Sequence, residues 1–570
     1  MRTKIHRNFA WPFWKGTMLL LLTLSSSVSG EETIPNLSVH AQFIQGSGGA
    51  VRTGTFFGGE KCFIQIKIAN AMMREPDGMS LLMNVRVFKN SEQMPPSLAE
   101  QKYNLYGRPA LGGASFVTEA ILTLYDVFGA GDYTLEVTVE DRFAGTKAQT
   151  TNGLTLLDSQ VFGIRNLVCA YAPPLDGKRI QPILDNALIC RGNARLLSFG
   201  VGGFQVDSSD TASISNSVEF FDDRDQSLGK YVFPLYQNNV SKFFRDMPIE
   251  FSLKFWPNRC GQFYAIIHSK DSISGNKATA TFPFIVTDDI GHSIPLDESA
   301  TELLVEYSFT YGTNDGTRPP SFFSGQTCLG KLSILGLTKT EGNSVSFDLT
   351  IVVLKNTANK SEKVFSSHGT LNEQIFFDER VFVMTLSHLL STDMAEGMYT
   401  WQALVTDNVS GKTAQKNLDF EVVKGQSSFG LSNVGFAYSP ARLPPANQTT
   451  KIFSQSVFSL GSSIYLPFSI AGFQLDEDRN VNGDLTATFF DDNQNEVYKI
   501  SDHIKTSIPS YYSPGFSIDK STALAAIREG EYKIEIRCND NISGKTFVKL
   551  IPFSIVDSSS LLSGVLVQEF

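Results

Sequence analysis

Sulfhydryl, imidazole and indole groups are scarce in this chain: 570 residues carry 6 Cys, 7 His and 4 Trp. Each shortage excludes something. A disulfide framework repeats paired cysteines in every module. Here Cys62 and Cys328 recur at equivalent positions without a partner in their own repeat, Cys169, Cys190 and Cys260 share one repeat, and Cys538 stands alone. Most of them read as small buried apolar side chains, with a Cys169–Cys190 bridge as the open alternative. The histidines, His6, His40, His268, His292, His368, His388 and His503, share no repeat-equivalent positions. No His-Glu-x-x-His, Gly-x-Ser-x-Gly or Cys-x-x-Cys pattern appears, so nothing points to a zinc protease, a serine hydrolase or a dithiol enzyme. Trp256 and Trp401 have no counterparts in other repeats, which suits core positions better than a platform for stacking sugars.

Long apolar runs are missing as well. The run Met18–Leu24 falls far short of the roughly 20 residues that cross a bilayer, and no later segment is long and apolar enough to span one. Arg2, Lys4, Arg7 and Lys15 precede it, and Ser25, Ser26, Ser27, Ser29 and Gly30 follow. A basic segment, a short apolar core and a small-residue end read as a signal peptide cleaved near Gly30. The mature chain is thus expected in the periplasm or at the cell surface, without a membrane span. The net charge of −10 is scattered in sign, which excludes the clustered basic face that nucleic acid requires.

What is abundant is repetition. One phrase, Gly-x-aromatic followed by Asp-x-x-small-Gly, occurs as Gly131/Tyr133/Asp141/Gly145, Gly261/Phe263/Asp271/Gly275, Gly397/Tyr399/Asp407/Gly411 and Gly530/Tyr532/Asp540/Gly544. The spacing between its aspartates is 130, 136 and 133 residues, a whole domain each time. Tyr133, Leu135, Val137 and Val139 alternate with polar residues, a strand with one buried face. The Asp then caps a turn and the second Gly takes its φ > 0 position, giving a β-hairpin. Further strands are expected at Cys62–Ile68, Asn84–Phe88, Ser217–Phe221, Val345–Leu354 and Leu485–Phe490, with a short helical turn near Thr522–Arg528. The fold class is all-β: antiparallel β-sandwiches of the immunoglobulin-like kind.

A longer repeat lies over the first. Phe56-Phe57-x-Gly59-x-x-Cys62 returns 266 residues later as Phe322-Phe323-x-Gly325-x-x-Cys328. Gly203-Phe204-Gln205-x-Asp207 returns after 269 residues as Gly472-Phe473-Gln474-x-Asp476. The order is A-B-A-B: signal peptide 1–30, A1 31–158, B1 159–290, A2 291–425 and B2 426–570. Linkers at Leu157–Gln160, Asp288–Glu298 and Lys424–Ser428 are short, and predict a semi-extended rod rather than beads on a flexible string.

The array resembles the immunoglobulin-like or fibronectin type III-like repeats of bacterial secreted and surface proteins. Its hairpin, Gly-x-Tyr…Asp-x-x-Ser-Gly-Lys, is most similar to modules of large exported proteins of planctomycete-type bacteria. The resemblance spans residues 35–557 in architecture, and departs from true immunoglobulin domains in lacking a recurrent Cys…Trp…Cys spacing. It implies scaffolding, adhesion, or glycan and protein binding, and no transferable catalytic residue.

Two constellations invite a chemical reading. Ser410-Gly411-Lys412-Thr413 and Ser543-Gly544-Lys545-Thr546 imitate the end of a phosphate loop, but Thr406 and Asn539 stand where its first glycine belongs. Asp222, Asp223 and Asp225, and equivalently Asp491, Asp492 and Asn493, are oxygen-rich candidates for Ca²⁺, the sole cofactor in view; acidic residues after a strand also simply make turns. Asn239, Asn408, Asn447 and Asn541 head Asn-x-Ser/Thr triplets, relevant only to eukaryotic secretion. The expectation is an exported, non-enzymatic scaffold, spacer or adhesion protein with a protein or glycan partner. The alternative is a carbohydrate-binding protein that uses loop aromatics. Any binding site should lie where A differs from B, or at the A–B junctions.

Overall fold

Period-two alternation builds nearly every element. Strand Gly131–Asp141 buries Tyr133, Leu135, Val137, Val139 and Asp141 and turns the residues between them outward. Strand Thr211–Asp222 does the same with Ala212, Ile214, Asn216, Val218, Phe220 and Asp222. The computed structural model describes residues 36–562 except 47, 75–77, 90–91, 94–99, 108–110, 112–114, 172–186, 193, 242–246, 288–301, 311–319, 341–343, 359, 378–380, 392, 424–428, 435–436, 439–455, 509–516 and 526–527. The signal-peptide reading of residues 1–30 and two of the three linkers lie outside the described residues.

Each repeat holds two sheets. In A1, Ser38–Ile44, Lys61–Ala69 and Phe116–Thr123 form the smaller one, with Lys61–Ala69 central. The larger runs Thr55–Phe57, Thr146–Leu157, Gly131–Asp141, Met79–Lys89, with Glu92–Gln93 and Glu100–Gly107 along its outer edge. B1, A2 and B2 repeat this order, their larger sheets being built on Thr211–Asp222, Ser344–Asn356 and Asn480–Phe490. All five strand runs read from the sequence fall inside strands. Where a helical turn is expected near Thr522–Arg528, the described residues up to Ala525 are strand instead: Ser517–Ala525 pairs with Ser463–Ala471, because tertiary pairing overrides a weak local helix preference.

Pairing is antiparallel except at one place per repeat. Thr55–Phe57, Leu188–Cys190, Ser321–Phe323 and Val457–Ser459 each run parallel to the last strand of their repeat. In A1 the first strand lies in the smaller sheet, and the chain then crosses to the larger one. It enters there beside the last strand and in the same direction. Three residues of parallel ladder close the sandwich edge.

The rod does not form. Residues 37–570 are one compact unit, in which A1 and B2 contribute to a single apolar cluster from Ile64, Leu81, Val117 and Tyr133 to Phe458, Phe489, Ile534 and Phe553. Polar contacts accompany it. Lys67 Nζ lies 3.4 Å from Asp557 Oδ2, and Ser558 Oγ donates to Gly48 O at 2.5 Å. The cluster of B1 takes in Phe376 and Phe377 from A2, and Val457 and Leu562 from B2. Short linkers limit bending but say nothing of the lateral faces, which here are apolar and bury each other.

Candidate functional site

The recurrent aspartate is the obvious place to look for chemistry, and each copy is fully committed to the fold. Asp407 is buried; Oδ1 accepts from Val409 N at 3.0 Å, and Oδ2 accepts from Ser410 Oγ at 2.6 Å and from Thr338 N at 2.9 Å. Asp540 repeats this with Ile542 N, Ser543 Oγ and Gln474 N. Asp271 uses Ile273 N, Ser274 Oγ and Gln205 N. Asp141 uses Phe143 N, Ala144 N and Met72 N. The turn cap was legible in the sequence. The second oxygen ties the turn to a segment 66 or 69 residues earlier, which the sequence signals only through the recurrence of Gly203-Phe204-Gln205 as Gly472-Phe473-Gln474. Burial by itself would raise the Asp407 carboxyl, but the bonds from Ser410, Thr338 and Val409 outweigh it and hold the group below its ordinary value.

The rest of the phrase is structural too. Its first glycine is as constrained as its second: φ is +139°, +145°, +138° and +149° at Gly131, Gly261, Gly397 and Gly530. The hydroxyl of Tyr399 donates to Ala395 O at 2.7 Å and that of Tyr532 to Arg528 O at 3.1 Å, while Tyr133 reaches Phe128 O and Gly129 O. This is the tyrosine corner of immunoglobulin-like sandwiches. B1 carries Phe263 there and forgoes the bond. Ser410–Thr413 and Ser543–Thr546 lie in these hairpin turns, not between a strand and a helix.

The acidic pairs form a second duplicated turn. Asp222 Oδ1 accepts from the amides of Arg224 and Gln226, both at 3.0 Å, and Oδ2 meets Arg259 at 3.1 Å. Asp225 sits at φ +58° and accepts from Tyr264 Oη at 2.6 Å. In B2, Asp491 accepts from the amide and side chain of Asn495, Asn493 donates to Asp492, and Gln494 takes the matching φ of +65°. Among the described residues no group of three or more His, Cys, Asp or Glu side chains is arranged to hold a metal ion.

Trp256 and Trp401 are core residues, as expected, and neither offers a face to a sugar. Trp401 stacks on Tyr307 with centroids 5.5 Å apart, and Trp256 packs on Phe382 of A2 at 5.3 Å. Five cysteines are buried and Cys260 is exposed; burial pushes the Cys62 thiol far above its ordinary range. No described helix is long and apolar enough to cross a membrane.

The junctions tie the repeats to one another. At A1–B1 the Arg165 guanidinium lies 4.5 Å above the Phe57 ring. At B1–A2, Lys254 Nζ meets Glu373 Oε1 at 2.5 Å and Val383 N donates to Asn258 Oδ1 at 3.2 Å. Phe376 and Phe377 insert among Phe220, Phe255, Phe263 and Phe284, with centroids 4.7 Å apart for Phe220–Phe376 and 5.0 Å for Phe263–Phe377.

No protein family and no curated protein matches this chain. Solved structures do. PorU of Porphyromonas gingivalis aligns over 71% of this chain and 35% of its own at 14% identity and a TM-score of 0.22. Salmonella alpha-2-macroglobulin aligns over 90% of this chain and 39% of its own at 8% identity and 0.19. A CARDB domain from Pyrococcus furiosus, solved with di-metal ions, is covered over 100% of its length by 23% of this chain, at 16% identity and 0.15. The chain thus spans about two fifths or less of PorU and of this macroglobulin.

The outer edges of the larger sheets also differ. B1 divides the edge between two short strands, Ser227–Val232 and Tyr236–Asn239, whereas A2 and B2 present long strands, Ser361–Gln374 and Glu496–Ser507. Val364–Thr370 of the A2 edge carries no Lys, Asp, Glu or Pro, and the B2 edge carries Lys499, Asp502 and Lys505.

Proposed function

We propose that this chain is an exported, non-enzymatic interaction scaffold of the cell envelope, a folded-back block of sandwiches that presents its A2 edge to a protein partner. The observation that carries this reading is the commitment of the recurrent carboxylates to the fold. With the shared phrase spent on turns, the long and largely exposed outer edge strand of A2 is the surface that suits a partner best. A long exposed edge strand offers a row of backbone donors and acceptors to an added strand, and proteins ordinarily guard such edges with charge, Pro or bulges. The A2 edge has its bulge at Val364 and its charges at Glu362, Lys363 and Glu373, which leaves Phe365–Thr370 between them unguarded. The basic, apolar and small-residue order of residues 1–30 supports export. A folded-back block suits adhesion and protein binding better than spacing.

Two measurements test it. Cell fractionation should find the chain outside the cytoplasm; a cytoplasmic chain would remove export. The tagged chain should capture a saturable partner from its own envelope fraction, and lose it when Ser367→Pro and Thr370→Lys block the A2 edge. Undiminished capture by that variant would overturn the assignment of the edge.

A further inference from the structure

The two lateral contacts of the block are one contact made twice. Gly192 of B1 is seated against Val383 of A2, and a β-carbon there would lie 2.6 Å from Val383 Cγ1. Moving along the chain by the repeat offsets carries Gly192 to Gly461 and Val383 back to Val117. Gly461 of B2 does face Val117 of A1, with its β-carbon position 3.3 Å from Cγ1. Both glycines have left-handed backbones, φ +87° and +94°. The plug repeats as well: Phe377 of A2 is fully buried in the B1 cluster, and its A1 counterpart Leu111 is fully buried in the cluster shared with B2. Between them, Leu188–Cys190 of B1 touches Val457–Ser459 of B2. These strands are themselves equivalent, as Leu188 maps onto Val457. A segment that meets its own equivalent marks a two-fold relation, and makes the interface isologous. The block is a dimer of A–B pairs that a duplication has put in one chain.

The polar contacts break this symmetry. Lys254–Glu373 has no twin, since Glu373 corresponds to Gly107; Lys67–Asp557 has none, since Lys67 corresponds to Ser333. Apolar shape lets any A–B pair meet another, while the two ion pairs favour A1–B1 facing A2–B2.

We propose that each A–B pair is a self-recognising unit whose fitting partner is the complementary pair of a second copy of this chain. Two chains that exchange halves keep every contact described above, so the exchanged dimer and the closed monomer share their interfaces, and protein concentration selects between them.

The test uses the whole chain without substitutions. Unlabelled and ¹⁵N-labelled chains are mixed in denaturant, refolded at dilute and at concentrated protein, separated by size and treated with a zero-length carbodiimide, which joins Lys Nζ to a carboxylate. Mass spectrometry then reads the Lys67–Asp557 and Lys254–Glu373 links. The expected monomer carries both links within one isotope, and the dimer, enriched at high concentration, carries both as light–heavy pairs in statistical proportion. Absence of a dimer at every concentration overturns the exchange. So does a dimer whose links stay within one isotope, or one mixed at Lys67–Asp557 alone. A monomer without the Lys67–Asp557 link removes the two-fold relation itself.

Discussion

Gly192 leaves no room for a side chain against Val383: a β-carbon would sit 2.6 Å from Cγ1 and 2.9 Å from Cβ of that valine. Its backbone, at φ +87°, already disfavours one. Gly411 shares the backbone problem, at φ +73°, but nothing lies within 4 Å of its β-carbon position. Gly411→Ala should therefore cost about 1–2 kcal/mol, the left-handed strain alone. Gly192→Ala adds overpacking between B1 and A2, for a total of about 2–4 kcal/mol. Denaturant midpoints of the two variants measure the difference, and equal losses would show that the B1–A2 contact is loose.

Asp407 links hairpin, serine and distant loop through three donors. Replacing it by Asn supplies N–H groups where only acceptors are wanted, and should cost about 2–4 kcal/mol at neutral pH. The sign of the pH dependence follows from its lowered folded-state value. The ionised form is the one that folding favours, so its contribution is complete above the unfolded value, near 4, and is lost as pH falls through the folded one. Urea unfolding of wild type and Asp407→Asn should differ most at pH 7 and converge towards pH 3. A gap that stays constant with pH would contradict the assignment.

The Asp222 and Asp491 turns make a prediction about calcium. Burial alone would raise Asp222, but the amides of Gln226 and Arg224 together with Arg259 outweigh it; at Asp491 the Asn495 side chain is the largest influence, and both carboxyls are lowered. Their oxygens already have donors. A cation bound only by the folded chain would raise the melting temperature with its concentration. Calcium and chelator are expected to leave it unchanged, and a calcium-dependent rise of several degrees would restore the metal reading.

The hairpins were legible because their information is local. A strand announces itself every second residue, and the Asp and second Gly of the phrase lie four residues apart in one turn. The other partners of the same Asp were not legible, because Met72, Gln205, Thr338 and Gln474 donate through backbone amides, which any residue carries. The first glycine escaped for a related reason: its positive φ is set by how the chain enters the strand, not by a turn motif. The fold-back was hidden most deeply. Val383 lies in the continuous buried run Val381–Met384 and Val117 follows buried Phe116. Such a run says that both faces of the strand are covered, and does not tell whether the covering layer is the same sandwich or another.

A final prediction concerns the core in which A1 and A2 diverge. Tyr307 and Gly330 of A2 stand where A1 has Ala41 and Ile64, and the strand register is the same in both: Tyr307 pairs with Leu332 as Ala41 does with Ile66. The exchange is compensated in volume. A β-carbon on Gly330 would lie 2.0 Å from Tyr307 Oη, and the Tyr307 ring stacks nearly parallel to Trp401, 5° between planes. Gly330→Ala therefore has to displace the tyrosine, at about 1–3 kcal/mol or more, and Tyr307→Ala opens a cavity costing about 3–5 kcal/mol. Together, Tyr307→Ala and Gly330→Ile recreate the A1 pair, so the added side chain fills the space the tyrosine leaves. The double variant should lose less than the sum of Tyr307→Ala and Gly330→Ile alone, a coupling of about 0.5–3 kcal/mol read from a double-mutant cycle. Strict additivity would mean that the two residues do not share the space that the register assigns them.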